Sequence, residues 1–196
     1  MSCLACILEE QSAAEMLKVL FSRIDVPKNI SIRYVVFEGK QDLEKQIERK
    51  LRGWQQAETF FLILRDQDAG NCIEIKDALK EKSRAAGKID KTIVRIACHE
   101  LESFYLGDLA AVEKGLKLSN IASRQREQKY REPDKLVSAA RELRILTNDR
   151  YQKMCGSRSI ASFLKVDGTN RSKSFNVLLS GIQKAISTLC VNAAIV

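Results

Sequence analysis

An apolar run that ends in two aspartates constrains the fold of this chain more than any other stretch. Residues 60–64 are Phe, Phe, Leu, Ile and Leu, and Asp66 and Asp68 follow closely. Such a run is typical of a strand buried on both faces, as in a parallel sheet covered by helices. On an extended backbone the two aspartates project to the same side, at the strand end where α/β folds bind ligands. The pair predicts either a Mg²⁺ or Mn²⁺ site or an Asp-rich turn that caps the next helix.

Strands and helices alternate through the first hundred residues. Apolar runs at residues 3–8, 30–37 and 91–98 predict three further strands, and helical spacing of apolar residues lies between the strands. This alternation predicts an α/β fold with a mostly parallel, Rossmann-like sheet flanked by helices. Beyond it only helices are predicted, so we expect an α/β core over residues 1–115 and a helical C-terminal region over residues 116–196, packed on the core. The pattern leaves the order of the strands open.

Composition limits the partners and the compartment. The chain has 196 residues, no apolar run long enough to span a membrane and no recognisable export signal, which predicts a cytoplasmic protein. Lys and Arg outnumber Asp and Glu by 33 to 25, and the net charge of +8 favours a polyanionic partner such as nucleic acid. Cys3 and Cys6 form a CxxC motif, but an offset of three on a strand places them on opposite faces, which argues against zinc.

Carboxylates follow three of the predicted strands. Glu9 and Glu10 come after the first, the aspartate pair after the third, and Glu100 and Glu102 after the fourth. The carboxyl ends of parallel strands share one edge of the sheet, and a group of acids there would be costly without divalent cations. The alternative for Glu100 and Glu102 is a favourable place near the positive end of a helix dipole.

A glutamate after the first strand and an Asp-x-Asp after the third resemble the TOPRIM fold of topoisomerases, primases and OLD-type nucleases, in which these residues coordinate Mg²⁺. Glu38 and Gly39 also look like the Glu-Gly signature of that family. We assign Glu9, because only the longer separation from Asp66 leaves room for the helix, strand, helix and strand of the TOPRIM order. Glu10 then stands where the family usually has glycine, which allows turn geometries that a side chain restricts.

More closely, the chain looks like a prokaryotic TOPRIM-like family that is classed as a domain of unknown function. The segments that carry this resemblance are residues 8–14, 39–43, 66–72, 100–108 and 171–175. The resemblance implies a TOPRIM-like core and a metal site. Relatives of this fold are nucleases, primases and strand-passing enzymes, and some work beside ATPase partners in phage defence.

The resemblance to TOPRIM nucleases also implies roles for the acidic residues. Glu9, Asp66 and Asp68 would hold the catalytic Mg²⁺ or Mn²⁺. Glu100 and Glu102 are candidates for a second metal or for orienting water, so all five are candidate catalytic residues.

Several basic and ring side chains are further candidates. Lys40 would contact the scissile phosphate or stabilise the leaving oxyanion; the alternative is a solvated lysine at a helix start. Arg171 and Lys173 would bind nucleic-acid phosphate with help from the last helix N-terminus. His99 would assist proton transfer, although a histidine beside a strand end is more often structural. Tyr151 has no supporting motif for covalent topoisomerase chemistry.

Two main functions follow from these predictions. The first is a Mg²⁺-dependent nuclease or related phosphodiester hydrolase that acts on DNA or RNA. The second is a non-catalytic regulatory subunit of an ATPase partner, which binds metal, nucleotide or nucleic acid without turnover. A third hypothesis is an interaction domain without metal. Calorimetry that finds no binding of Mg²⁺ or Mn²⁺ would support it over the other two.

Overall fold

A single parallel sheet forms the centre of the molecule. A computed structural model describes the backbone of residues 2–193 and the side chains of residues 2–191. Within it, the strands are β1 (Ser2–Leu8), β2 (Ile30–Val36), β3 (Thr59–Asp66) and β4 (Thr92–Ala97). Their order is β2-β1-β3-β4, and every neighbouring pair is parallel. The predicted α/β class is therefore confirmed.

Helices follow each strand and make up most of the second half of the chain. Those between the strands are α1 (Gln11–Arg23), α2 (Lys40–Arg52) and α3 (Cys72–Ala85). After β4 come α4 (Ser103–Leu106), α5 (Leu109–Gly115), α6 (Ala139–Leu146), α7 (Lys153–Ala161) and α8 (Lys173–Ala193). Short 3-10 turns precede β4 and connect α5 to α6. Over residues 2–193, no helix combines the length and the apolar character that crossing a membrane requires.

The sheet is buried on both faces, as the apolar run of β3 predicts. Alternate residues of β1 enter two different apolar clusters: Leu4 and Cys6 pack in the cluster that contains α1 and α8, and Cys3 packs in the one that contains α2 and α3. The two cysteines are thus on opposite faces as predicted, and both are free thiols.

The C-terminal helices complete this core. Leu178, Ile182 and Leu189 of α8 are almost fully buried in the same cluster as Leu4 of β1 and Leu62 of β3. The helical region thus packs on the sheet, while a domain boundary at residue 115 stays a prediction.

The strand order decides where a ligand is expected. From β1 the chain crosses to β2 on one side and then returns to β3 on the other side of β1, so the direction of winding changes between β1 and β3. In open α/β sheets, ligands bind outside the carboxyl ends of the strands at this switch point. Glu9 directly follows β1, and Asp66 is the last residue of β3.

Candidate functional site

Glu9 and Asp66 meet at the switch point. The backbone N–H of Asp66 donates a hydrogen bond of 3.1 Å to Glu9 Oε2. Arg65, buried at 6% exposure, places its Nε 3.8 Å from the same oxygen and its Nη1 3.0 Å from Glu44 Oε1. Burial raises the pKa of Glu9, and the Asp66 N–H and Arg65 only partly offset it. The structure therefore brings together two residues that lie far apart in the sequence and were predicted to share a site.

Asp66 lies in the most strongly negative part of the site. Its pKa is raised well above the usual range, first by burial and then by the charges of three neighbouring carboxylates, those of Glu102, Glu10 and Glu9. We call these four residues, Glu9, Glu10, Asp66 and Glu102, the carboxylate cluster. Carboxylates whose charges act on one another disfavour each other's ionisation unless a cation compensates them.

Glu102 is the deepest member of the carboxylate cluster. Its side chain is fully buried, and its Oε1 accepts a hydrogen bond of 2.8 Å from the Tyr151 hydroxyl. No partner among the described residues reaches its Oε2. Burial raises the pKa of Glu102. An unpartnered buried carboxylate oxygen is costly and calls for a ligand.

Glu10 is paired with a lysine from the second half of the chain. Lys153 Nζ, at the start of α7, lies 2.9 Å from Glu10 Oε2. Burial opposes the charge of Lys153, but nearby carboxylates, chiefly that of Glu10, outweigh it and raise its pKa. The backbone of Glu10 is extended, with φ −144° and ψ 162°. Any residue adopts this conformation, so the backbone does not require a glycine at position 10.

Asp68 lies in a turn and not on the strand. β3 ends at Asp66, and Asp68 has a left-handed φ of 53°. The expectation that an extended backbone directs both aspartates to the same side was therefore wrong. Asp68 Oδ2 pairs with Lys40 Nζ at 2.8 Å, and both side chains are exposed. His99, also left-handed at φ 57°, accepts a backbone hydrogen bond of 2.7 Å from Asp68, which ties the β3 and β4 loops together.

Glu100 and Glu102 follow β4 but do different things. Glu100 Oε2 accepts a hydrogen bond of 2.7 Å from the backbone N–H of Ala140 in the first turn of α6. It therefore serves as a helix cap, the alternative that sequence analysis left open for it. Only Glu102 of this pair joins the carboxylate cluster.

Arg171 and Lys173 lie before α8, as predicted, but the helix end beside them is already used. Asp134 Oδ2 accepts a hydrogen bond of 2.8 Å from the Ser174 N–H, and its Oδ1 accepts one of 2.6 Å from the Ser172 hydroxyl. The carboxylate of Asp134 thus occupies the place where a phosphate would meet the helix N-terminus. Arg171 and Lys173 are exposed.

A cleft that was not predicted from the sequence lies beside the carboxylate cluster. It has a volume of about 590 Å³, and its lining residues are Glu100, Ala140, Arg141, Arg144, Tyr151, Gln152 and Lys153. Most of them come from α6 and from the start of α7, whose position depends on tertiary packing. No local sequence pattern identifies these α6 and α7 residues as the lining of a cleft. Arg65, which was also missed, had a signal, because a charge at the end of a buried strand is unusual.

The chemistry of the carboxylate cluster fits a hard divalent cation. All its side chains offer carboxylate oxygens, the ligands that Mg²⁺ and Mn²⁺ prefer, and one buried oxygen of Glu102 has no partner in the described part of the chain. As the side chains stand, however, no three His, Cys, Asp or Glu residues between residues 2 and 191 are arranged to hold a metal ion. The ammonium of Lys153 lies beside Glu10 instead.

Fold and site together define an α/β protein with a fully parallel sheet and a cluster of acids at its switch point. A family model described as a domain of unknown function, DUF4276, matches residues 8–183. The chain belongs to this family. No curated protein and no solved structure matched the chain.

Proposed function

We propose that this protein is a divalent-cation-dependent hydrolase of phosphodiester bonds in DNA or RNA, built on a TOPRIM-like core. The carboxylate cluster at the switch point of the sheet supports this function. Glu9, Asp66 and Glu102 come from the ends of three adjacent strands, and the pKa of each is raised. Acidic groups with raised pKa values at the carboxyl ends of parallel strands are typical of functional sites.

The residues that would hold the cation are Glu9, Asp66 and Glu102, with Glu10 available once Lys153 moves. When bound, Mg²⁺ or Mn²⁺ would stabilise charge on phosphoryl oxygens and make a bound water more acidic. Lys153 would then also bind the substrate, because its ammonium, once released from Glu10, can donate hydrogen bonds to phosphate. Lys40 is exposed, and its ammonium pairs with the carboxylate of Asp68.

A second candidate is a non-catalytic subunit that binds a nucleotide or nucleic acid and docks on an ATPase partner. The pairing of Lys153 with Glu10 and of Lys40 with Asp68 favours it. In this case the lysines balance the charge of the acids in the resting protein, and a cation or nucleotide that binds there is not followed by turnover of a substrate. The ATPase is proposed as the partner because the chain resembles TOPRIM proteins that work beside ATPases.

Cleavage assays distinguish these functions. Labelled single- and double-stranded DNA and RNA are incubated with wild type, Asp66→Asn and Asp77→Asn in Mg²⁺, Mn²⁺ or EDTA. Asp77 is a control because its exposed carboxylate on α3 pairs only with Lys80 of the same helix. We expect cleavage in Mn²⁺ or Mg²⁺, none in EDTA, and a loss of about 100-fold or more in Asp66→Asn alone.

Other outcomes would overturn one part or the whole of the proposal. Cation binding without cleavage of any substrate would favour the regulatory subunit. Cleavage that persists in Asp66→Asn would remove the carboxylate cluster from the reaction.

A further inference from the structure

We infer that the cleft lined by Arg141, Arg144 and Lys153, named here the basic cleft, binds the phosphate backbone of a nucleic-acid strand and leads it to the carboxylate cluster. This inference rests on the proposed function for the choice of ligand. Its evidence is the geometry and charge of the cleft.

The basic cleft adjoins the carboxylate cluster through two residues that line the cleft and bond members of the cluster. Lys153 lines the cleft and bonds Glu10 at 2.9 Å. Tyr151 also lines the cleft and bonds Glu102 at 2.8 Å. A ligand that contacts Lys153 and Tyr151 in the cleft would therefore lie one side chain away from Glu10 and Glu102.

The arginines of the basic cleft are available to a ligand. Arg141 is exposed and makes no ion pair or side-chain hydrogen bond with another described residue. Arg144 pairs with Asp149, but the two side chains are 63% and 70% exposed. Ion pairs this exposed contribute little, so a phosphate can replace Asp149 as the partner. Glu100 also lines the cleft, and its Oε2 is engaged by the Ala140 N–H.

The lining indicates contact with the backbone and not with bases. Tyr151 is the aromatic residue in the lining, and at 2% exposure it offers no ring face for base stacking. Arginine guanidinium groups match the geometry of phosphate oxygens and fix a strand without reading its sequence. We therefore expect binding that depends strongly on salt and little on sequence.

Fluorescence anisotropy with a labelled oligothymidine strand, in EDTA to prevent cleavage, tests the basic cleft. The variants are Arg141→Glu and, as a control with the same charge change, Arg33→Glu, an exposed residue of β2 outside the cleft. We expect Arg141→Glu to weaken binding about tenfold or more and Arg33→Glu to leave it within about twofold. In Arg141→Ala, the slope of log K against log salt should become shallower by about 0.7, the value for one contact to a single strand.

The outcomes separate the basic cleft from the hydrolase. If Arg141→Glu no longer binds the strand and no substrate is ever cleaved, the binding role of the basic cleft is supported and the proposed hydrolase activity is contradicted. If Arg141→Glu binds the strand as tightly as Arg33→Glu does, or if wild type does not bind the strand, the cleft is overturned even where cleavage depends on Asp66. Circular dichroism of each variant verifies its fold.

Discussion

At the scale of one residue, the ionised carboxylate of Asp66 lowers the stability of the fold that contains it. Burial and the neighbouring carboxylates raise its pKa in the folded protein. Folding therefore favours the protonated form. This contribution to stability is complete below the pKa of the unfolded chain and is lost as the pH rises through the folded pKa.

Asp66→Asn should therefore be more stable than wild type at neutral pH. We expect a gain of about 1 kcal/mol in the free energy of unfolding without divalent cations, as is common when a functional charge is removed. The gain should shrink as the pH falls toward the unfolded pKa of aspartate, because wild type is then protonated as well. Urea unfolding in EDTA between pH 4 and pH 8, about the range over which a raised carboxyl pKa acts, measures this.

Asp77→Asn is the matched control, since its carboxylate is 58% exposed, and its stability difference from wild type should stay flat with pH. An Asp66→Asn variant that is less stable than wild type at every pH would contradict the crowding of charge around Asp66.

The residues of the site were predictable to different degrees. Glu9 and Asp66 were predictable because parallel strands bring their carboxyl ends to one edge. Asp68 and Glu100 were placed less well, because the backbone is left-handed at Asp68 and His99, and the sequence indicated a turn at Asp68 only as an alternative to the metal site. Lys153 could not be placed, since it reaches Glu10 only through the packing of α7.

At the scale of elements, the contact between α1 and α7 positions the basic side of the site. Arg158 of α7 bonds Glu15 of α1 at 2.5 Å, and Lys18 bonds the other oxygen of Glu15 at 2.8 Å. Arg23 of α1 donates to the backbone carbonyls of Ala161 and Leu164. α7 begins at Lys153. The bonds that hold α7 against α1 therefore help to position the ammonium of Lys153.

Glu15→Gln should weaken this contact. Hydrogen bonds from Lys18 and Arg158 lower the pKa of Glu15 to about 2. Its contribution to stability is therefore complete above the unfolded pKa and is lost as the pH falls toward about 2. We expect a loss of about 1.5–3 kcal/mol in the free energy of unfolding at pH 7, the usual contribution of hydrogen bonds to a charged group, and this loss should diminish in acid. Urea unfolding at several pH values measures it.

Glu81→Gln is the control for this substitution, because Glu81 forms an exposed ion pair with Arg84 within α3. Its effect should stay below about 0.5 kcal/mol. Equal stability of Glu15→Gln and wild type at pH 7 would show that the bond between Glu15 and Arg158 does not anchor α7.

The elements themselves were easier to predict than their arrangement. Local periodicity identified the four strands and the helices between them. The order β2-β1-β3-β4 was left open, because it depends on which strands pair across the sheet and not on the pattern within any strand.

At the scale of the whole molecule, charge is divided between two neighbouring surfaces. The chain carries a net charge of +8, yet a group of acids lies at the carboxyl edge of its sheet. The basic cleft adjoins this acidic group through Lys153 and Tyr151. A phosphate-bearing strand and a divalent cation would each complement one of the two surfaces.

Anomalous scattering from manganese-soaked crystals tests the carboxylate cluster most directly. We predict a manganese peak within bonding distance of the Glu9 and Asp66 carboxylates in wild type, and none there in Asp66→Asn crystals soaked in the same way. Wild-type crystals with no peak at the cluster, while Lys153 still bonds Glu10, would contradict a cation site at the switch point of this sheet.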